Sequence, residues 1–333
     1  MNKRIILLCV STVLVLFAAE ALFRLAMFVK TPRGLVFDSA MVFSFAPRAT
    51  VYGLKLNNIG ALGDDVIPRT ARGGSLRVFL FGGSTSYSLH YVNTVREALQ
   101  NQLNRDCSVT SFGRPRYTSY QARVLAQNVF AQYRPDVAVL YLGINDTIFD
   151  TFWWVDGPPN VGFMDWRDDW PPLLFQGIRY HLIHKRIRST PSFPQGALRS
   201  ERILRSNIEK IADEANQEGV HLVLSEFALA VPTDDQRLYS TIQDQEPVMR
   251  HFWGNIESTI RAVDAHNAVL GQIAIQRDIE LAPVARMIPR SGEYFNDICH
   301  LTAIGNEILA KTVATSIVRT IAKNQDSTSE KTE

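Results

Sequence analysis

Four short segments, far apart in the sequence, carry side chains that together could perform acyl transfer through a serine. They are Gly82-Gly83-Ser84-Thr85-Ser86, Phe112-Gly113, Gly143-Ile144-Asn145-Asp146 and Asp297-Ile298-Cys299-His300. This chemistry needs a nucleophile, a base with an orienting carboxylate, and hydrogen-bond donors aimed at an oxyanion. The four segments contain a candidate for each of these roles.

The candidate nucleophile is Ser84, which follows two glycines at the end of an apolar run. Glycines allow a tight turn that exposes the hydroxyl, and a following helix offers backbone N–H groups to an oxyanion. Asp297 lies three residues before His300, so a loop carboxylate could accept from the imidazole Nδ1–H and direct Nε2 toward the serine. The alternative interpretation is a helix-capping serine and an unpartnered surface histidine.

Two further residues could donate hydrogen bonds to the oxyanion. Gly113 has no side chain, so its N–H can approach a substrate oxygen, and Asn145 can donate from its amide. Their alternative roles are a turn and a helix cap. Asp146 is expected to brace its loop. No Cys, His and carboxylate residues have metal-ligand spacing, so we expect no metal and no other cofactor.

The sequence around these segments alternates between predicted strands and helices. Strands are expected at 77–81, 107–112, 136–142, 221–227 and 279–284, and helices at 93–104, 120–133, 201–218, 248–277 and 302–323. This alternation predicts an α/β fold, a three-layer α/β/α sandwich with a parallel sheet. In such a fold the chemistry lies at the carboxyl ends of the strands, where the four segments fall.

The predicted organisation has four parts. They are an N-terminal membrane anchor or signal peptide at 1–30, a tether and irregular lead-in at 31–75, a catalytic domain at 76–323 with an insertion at 150–200, and a disordered polar tail at 324–333. The insertion holds four of the five tryptophans and a basic stretch. Because it emerges just after Asn145, we expect it to cap the site.

The N-terminus carries an apolar run that is long enough to span a bilayer. After Lys3-Arg4, no charge occurs from Ile5 to Ala19, and about 20 apolar residues suffice to cross a membrane. A cleaved signal peptide is the alternative, since Ala19-Glu20-Ala21 fits a cleavage site. We prefer the anchor, because cleavage would leave the apolar residues 22–29 at the start of the mature chain. Both interpretations export the remaining chain.

The charge of the chain excludes one class of protein, and the positions of its cysteines argue against a disulfide bond. The net charge of +2 is too small, and the basic residues are too scattered, for a nucleic-acid-binding protein. Cys107 and Cys299 are the exported cysteines. We expect free thiols, because a predicted strand of about 20 Å separates them and a disulfide needs Cα atoms within about 7 Å.

The order Gly-x-Ser, Gly, Gly-x-Asn-Asp and Asp-x-x-His resembles the SGNH (GDSL-type) hydrolase superfamily, particularly its bacterial membrane-anchored members. The resemblance covers about residues 57–322 and implies a flavodoxin-like sheet. It implies Ser84 as nucleophile, His300 as base and Asp297 as the orienting carboxylate. The implied oxyanion donors are the Ser84 N–H, the Gly113 N–H and the Asn145 side chain.

Three positions depart from the superfamily pattern. Gly83 stands where many relatives have Asp, Ser111 where Asn is usual, and Arg116 where Gly is usual. The last difference could place a cation near the substrate.

The resemblance and the expected export imply an ester substrate outside the cytoplasm. We expect an acyl group, an O-acetyl group above all, on a cell-surface or secreted carbohydrate, with the enzyme in the bacterial inner membrane facing the periplasm or exterior, or secreted. The alternatives are a lysophospholipase or thioesterase acting on lipid, and a polysaccharide O-acyltransferase. A non-catalytic polysaccharide-binding protein would lack a triad residue, and none is missing.

Overall fold

The computed structural model describes residues 3–31, 33–38, 41–68, 70, 74–151, 198–230, 236–249 and 253–329. Within these ranges, the helices are α1 (Lys3–Lys30), α2 (Leu89–Leu103), α3 (Ser119–Tyr133), α4 (Ile148–Thr151), α5 (Arg199–Glu218), α6 (Gln236–Met249), α7 (Ile256–Arg277), α8 (Val284–Met287) and α9 (Ala303–Ser329). The strands are β1 (Leu35–Asp38), β2 (Val42–Phe45), β3 (Thr50–Val51), β4 (Leu54–Lys55), β5 (Leu62–Gly63), β6 (Leu76–Gly82), β7 (Cys107–Ser111), β8 (Val137–Tyr141), β9 (His221–Ser225) and β10 (Glu280–Ala282).

A mostly parallel sheet forms the centre of the molecule. Its six strands are arranged in the order β10-β9-β8-β6-β7-β5. The strands from β6 to β10 pair in parallel, and β5 is an antiparallel edge strand. Counted along the chain, the parallel strands have the order 2-1-3-4-5, which is the flavodoxin-like arrangement. The predicted α/β fold is therefore confirmed.

Helices cover both faces of this sheet. The connection from β6 to β7 and the connection from β7 to β8 run in opposite directions across the sheet, so right-handed crossovers place α2 and α3 on opposite faces. Helix α2 packs against α9, while α3 packs against α5, which contacts α7. Every residue of β6 and β8 is buried, as expected for parallel strands covered on both sides. The layers are those of the predicted sandwich.

The segment before β6 is more regular than the predicted irregular lead-in. It contains two antiparallel hairpins, β1–β2 and β3–β4, followed by β5. The hairpins pack onto the domain, since the Tyr117 hydroxyl donates to the Phe43 carbonyl at 2.5 Å. Strands of two to four residues are too short to show a periodic pattern, which explains why sequence analysis missed them.

Three of the predicted helices differ clearly from their expected bounds. Helix α2 begins at Leu89 rather than at residue 93. The predicted helix at 248–277 is replaced by α6 and α7, and α7 begins where Asn255 Oδ1 accepts from the Ser258 N–H at 2.8 Å. Helix α9 continues to Ser329, so part of the tail predicted to be disordered is helical. Most of the predicted insertion lies outside the described residues, including its tryptophans.

Helix α1 contains the candidate membrane span. Residues Lys3–Ala26 have a mean hydropathy of 2.6, and none of this stretch is buried within the protein. Near its end, Arg24 pairs with Glu20 at 2.9 Å. By length and composition this helix could cross a membrane, although a signal sequence has the same properties.

A buried carboxylate ties the loop after β8 to the start of α3. Asp146 is fully buried and accepts from the Ser119 N–H at 3.0 Å and from the Ser119 hydroxyl at 2.5 Å. Asn207 donates to the same hydroxyl at 2.9 Å. Burial raises the pKa of Asp146 to about 7, while the hydrogen bonds from Ser119 oppose this shift. Asp146 therefore braces the loop, as the sequence suggested.

The raised pKa of Asp146 makes stability depend on pH. The folded protein holds this proton more tightly than the unfolded chain, whose aspartate pKa is about 3.9. Protonated Asp146 thus makes its full contribution to the free energy of unfolding below about pH 4. This contribution is lost as the pH rises through about 7. Between about pH 5 and pH 8, we expect wild type to lose stability relative to Asp146→Asn, by at most about 1.4 kcal/mol per pH unit.

Urea unfolding of the full-length proteins in detergent would measure this difference at several pH values. A free-energy difference that stays constant across the range would contradict the expected titration.

Candidate active site

The structure brings the three predicted catalytic side chains together. His300 Nε2 lies 2.8 Å from Ser84 Oγ, although the two residues are 216 positions apart in the chain. On the other side of the ring, His300 Nδ1 lies 2.7 Å from Asp297 Oδ2. Both distances are those of hydrogen bonds. A hydroxyl, an imidazole and a carboxylate linked in this order can move a proton away from the hydroxyl.

Ser84 lies in the turn that joins β6 to α2. Residues Ser84–Ser86 form one 3₁₀ turn directly after the strand. A Cβ at Gly82 would lie 2.1 Å from Ser86 Oγ, so the turn can fold back over the strand end only if residue 82 is glycine. The first N–H of such a turn has no partner within it, which leaves the Ser84 N–H as a candidate donor.

Asp297 shapes the loop that carries His300. Its Oδ1 accepts from the N–H of Cys299 at 2.9 Å and from the N–H of His300 at 2.7 Å, while its Oδ2 holds the ring. Burial alone would raise the pKa of Asp297, but the hydrogen bonds and charge of His300 lower it overall. The carboxylate is therefore ionised at neutral pH. The His300 side chain is 40% exposed, so the ring is accessible from solvent.

The Asn145 amide lies beside the backbone that precedes Ser84. Its Nδ2 donates to the Tyr117 carbonyl at 2.9 Å. A Cβ at Gly83 would lie 2.6 Å from this nitrogen, so the absence of a side chain at position 83 makes room for the amide. An amide nitrogen carries two hydrogens, and the second remains for another acceptor.

Gly113 also packs against the Ser84 turn, but the structure differs from the predicted use of its N–H. A Cβ at this position would lie 2.6 Å from Ser86 Cβ, so only glycine fits. The Gly113 N–H donates to Ser111 Oγ at 3.1 Å, and this hydroxyl donates to the Ser86 carbonyl at 2.7 Å. The Gly113 N–H is thus engaged within the fold. The Ser111 hydroxyl provides the acceptor.

His266, which sequence analysis did not single out, supports the same loop. It is fully buried in α7, where Nδ1 donates to the Gly143 carbonyl at 3.1 Å and Nε2 accepts from Ser200 Oγ at 2.7 Å. The Ser200 N–H donates in turn to Asp150 Oδ1 at 2.9 Å. Burial lowers the pKa of His266 to about 4, so the ring is neutral at pH 7. The sequence shows only a single histidine within a predicted helix, and this pattern does not predict a contact with the Gly143 loop.

One group of the described residues brings together side chains of the types that bind metal ions. The donor atoms of Asp297, Cys299 and His300 all lie within 4.8 Å of one another. The three residues converge because Asp297 closes a tight turn around them, which spacing alone does not reveal. Cys9, Cys107 and Cys299 are free thiols, as expected.

No protein-family model matches the sequence, and no curated protein matches it. Among solved structures, a GDSL-like lipase from Bacteroides thetaiotaomicron is 15% identical, with a TM-score of 0.46 over 73% of this chain and 88% of the lipase. A lipase/acylhydrolase from Enterococcus faecalis is also 15% identical, with a TM-score of 0.44 over 72% of this chain and 95% of that protein.

A catalytic mutant of an acetylxylan esterase from Geobacillus stearothermophilus is likewise 15% identical. Its TM-score is 0.46 over 74% of this chain and 95% of the esterase. Similarity at this level assigns no activity to the chain, since one fold serves many functions.

Proposed function

We propose that the protein is a serine esterase of the SGNH type, which hydrolyses an acyl ester through a Ser-His-Asp acyl-enzyme mechanism. One observation carries this proposal, namely the continuous hydrogen-bonded chain from Ser84 Oγ through His300 to Asp297. The residues come from opposite ends of the domain sequence and meet at the carboxyl side of the sheet, where α/β enzymes place their chemistry.

In the first half of the reaction, Ser84 Oγ attacks the ester carbonyl while His300 Nε2 takes the hydroxyl proton. His300 then gives this proton to the leaving alcohol, and the acyl group remains on the serine. Asp297 keeps its negative charge and stabilises the imidazolium that forms in between. In the second half, His300 activates a water molecule that releases the acid and restores the serine.

The negative oxygen of the tetrahedral intermediate needs donors close to Ser84. We assign the Ser84 N–H and the free hydrogen of Asn145 Nδ2 to this role, because both lie at the turn. The Gly113 N–H would be the third donor, and it can contribute only by giving up its bond to Ser111 Oγ.

We further propose that the substrate is an O-acetylated carbohydrate at the cell surface. The superfamily resemblance favours this class, and α1 is long and apolar enough to anchor the chain in a membrane. We propose the bacterial inner membrane, with the catalytic domain on the outer side. The same helix favours a second candidate, a lysophospholipase or thioesterase, because a membrane anchor holds the site near lipid.

Replacing the nucleophile is the first test. We expect Ser84→Ala to lower hydrolysis of p-nitrophenyl acetate by about a thousandfold or more, and to abolish labelling by a fluorophosphonate probe, because no acyl-enzyme can form. Steady-state kinetics and gel fluorescence of the full-length protein in detergent measure these effects.

Ser86→Ala is the matched control, since its hydroxyl is buried without a hydrogen-bond partner among the described residues. This variant should keep both activity and labelling. Undiminished hydrolysis by Ser84→Ala would remove Ser84 from the mechanism.

Asn145 variants test the oxyanion assignment. One donor contributes about 3 kcal/mol to transition-state stabilisation, so Asn145→Ala should lower kcat by about a hundredfold or more and change KM little. Asn145→Asp should be at least as impaired, because its charge repels the oxyanion. The thermal unfolding temperature of each variant serves as the control for folding. A properly folded Asn145→Ala protein with wild-type kcat would rule out this donor.

A substrate panel separates the two candidate classes. The full-length protein should release acetate from O-acetylated polysaccharides, and Ser84→Ala should not. Acetate is measured on the polysaccharides and fatty acid on lysophospholipids. Fatty-acid release without acetate release would favour the lipid enzyme and refute the carbohydrate substrate.

A further inference from the structure

Two turns near the active site hold bulky side chains where the backbone conformation favours glycine. In the β3–β4 hairpin, Tyr52 and Gly53 connect the paired residues of the two strands, with φ of +49° and +78°. A hairpin turn in which both central residues have positive φ is of type I′, which favours Asn, Asp or Gly. Tyrosine is strained in this conformation, because its Cβ lies too close to the backbone.

Arg116 occupies a comparable position in the loop after β7. The Tyr117 N–H donates to the Arg114 carbonyl at 3.1 Å, which closes a turn with Pro115 in second place. Arg116 is third in this turn, with φ of +68°. Proline followed by a residue with positive φ is the pattern of a type II turn, whose third residue is normally glycine. Tyr52 and Arg116 are both exposed, so packing of their side chains into the core does not explain either conformation.

Elsewhere in the described part of the chain, non-glycine residues with positive φ have structural explanations. Asn104, Arg134 and Asp278 end helices α2, α3 and α7 in the left-handed conformation, which is a common way for a helix to end. Arg48 is held by two hydrogen bonds from its guanidinium to Asp65. Strained residues cluster at functional sites, and the two exposed turn residues are therefore candidates for a role in binding.

Tyr87 connects the tip of the β3–β4 hairpin to the serine turn. Its N–H donates to the Ser84 carbonyl at 3.0 Å, and side chains three residues apart in a 3₁₀ turn lie on the same side. Its hydroxyl donates to the Val51 carbonyl at 2.8 Å. The rings of Tyr52 and Tyr87 meet edge to face, with their centroids 6.2 Å apart. The exposed Tyr52 ring therefore lies at the rim of the site that contains Ser84.

The turn that carries Arg116 lies against the same group of aromatic rings. The Arg114 guanidinium lies 5.2 Å from the centroid of the Phe45 ring, and this centroid lies 6.4 Å from that of Tyr52. The residue after Arg116 offers its carbonyl to Asn145 Nδ2 at 2.9 Å, so the turn also borders the assigned oxyanion donor. Burial raises the pKa of Tyr52, and the positive charge of Arg116 opposes this shift, as expected for neighbouring side chains.

We propose that Tyr52 and Arg116 form a subsite for the carbohydrate part of the substrate and select sugars that carry an anionic group. The Tyr52 ring offers an apolar face to the C–H groups of a sugar ring, and its hydroxyl can bond to a sugar hydroxyl. The Arg116 guanidinium pairs with a carboxylate or phosphate through two parallel hydrogen bonds. This inference rests on the proposed function and names its substrate class, an acidic carbohydrate ester.

Matched substrates test the selection for charge. Acetylated methyl glucoside and acetylated methyl glucuronide differ only in a primary alcohol or a carboxylate, and the phosphate ester of that alcohol provides a second anion. For full-length wild type in detergent, we expect kcat/KM for acetate release to be about tenfold higher on at least one anionic substrate than on the neutral one. This preference should weaken as salt is added, because salt screens exposed charges.

Two arginine variants show whether the preference comes from the proposed subsite. Arg116→Gln should remove the preference for the anionic substrates. Arg105→Gln is the matched control, because it removes an exposed cation just before β7, at the opposite end of the strand from the site. This control should keep the preference. An unchanged preference in Arg116→Gln would overturn the proposal.

Tyr52 variants separate a binding role from a structural one. Tyr52→Asn removes the ring but suits a type I′ turn, so its unfolding temperature should not fall. The ratio of its kcat/KM on the preferred anionic substrate to that on p-nitrophenyl acetate should fall by about fivefold. Tyr52→Phe keeps the ring face and should keep most of this ratio. An unchanged ratio in Tyr52→Asn would contradict the proposed subsite.

Binding without turnover distinguishes this inference from the proposed function. In saturation-transfer NMR with full-length Ser84→Ala and the acetylated anionic sugars, we expect a signal from the sugar C–H protons that is lost when Tyr52→Asn is added. If wild type hydrolyses no ester but Ser84→Ala gives this signal, the subsite stands and the proposed function fails. If wild type hydrolyses p-nitrophenyl acetate but prefers no anionic sugar, the esterase stands and the subsite is refuted.

Discussion

The site depends on one carboxylate that makes three hydrogen bonds. Asp297 holds two backbone N–H groups of its own loop with one oxygen and the His300 ring with the other. The backbone contacts fix the shape of the loop, and the ring contact fixes the proton on Nδ1, which leaves the lone pair of Nε2 facing Ser84. Orientation and tautomer of the base therefore come from the same side chain.

The second constraint is space around the serine turn. Glycines at 82, 83 and 113 each lie so close to a neighbour that a Cβ would be 2.6 Å or less from it. These close approaches let the turn, the Asn145 amide and the loop after β7 meet at one point. Two buried side chains hold the Asn145 loop in place: Asp146 bonds the loop to Ser119, and His266 bonds to the Gly143 carbonyl. A displacement of this loop would break a buried hydrogen bond, which is energetically costly.

Sequence analysis could predict the strands and site residues that form a recognisable pattern within a short stretch of the chain. Buried parallel strands appear as apolar runs, and Ser84, Asn145 and His300 follow such runs or precede a helix in a recognisable order. Features that arise from long-range contacts leave no such pattern. The bond from the Gly113 N–H to Ser111 depends on how two strand ends meet, and the role of His266 depends on the packing of α7 against a distant loop.

The most direct measurement is the position of the acyl group during turnover. Full-length protein quenched while it hydrolyses p-nitrophenyl acetate can be digested and its peptides analysed by mass spectrometry. The account predicts one acetyl group on the peptide that contains Ser84, at this residue. An acetyl group on another residue that forms and decays at the rate of turnover would contradict the account.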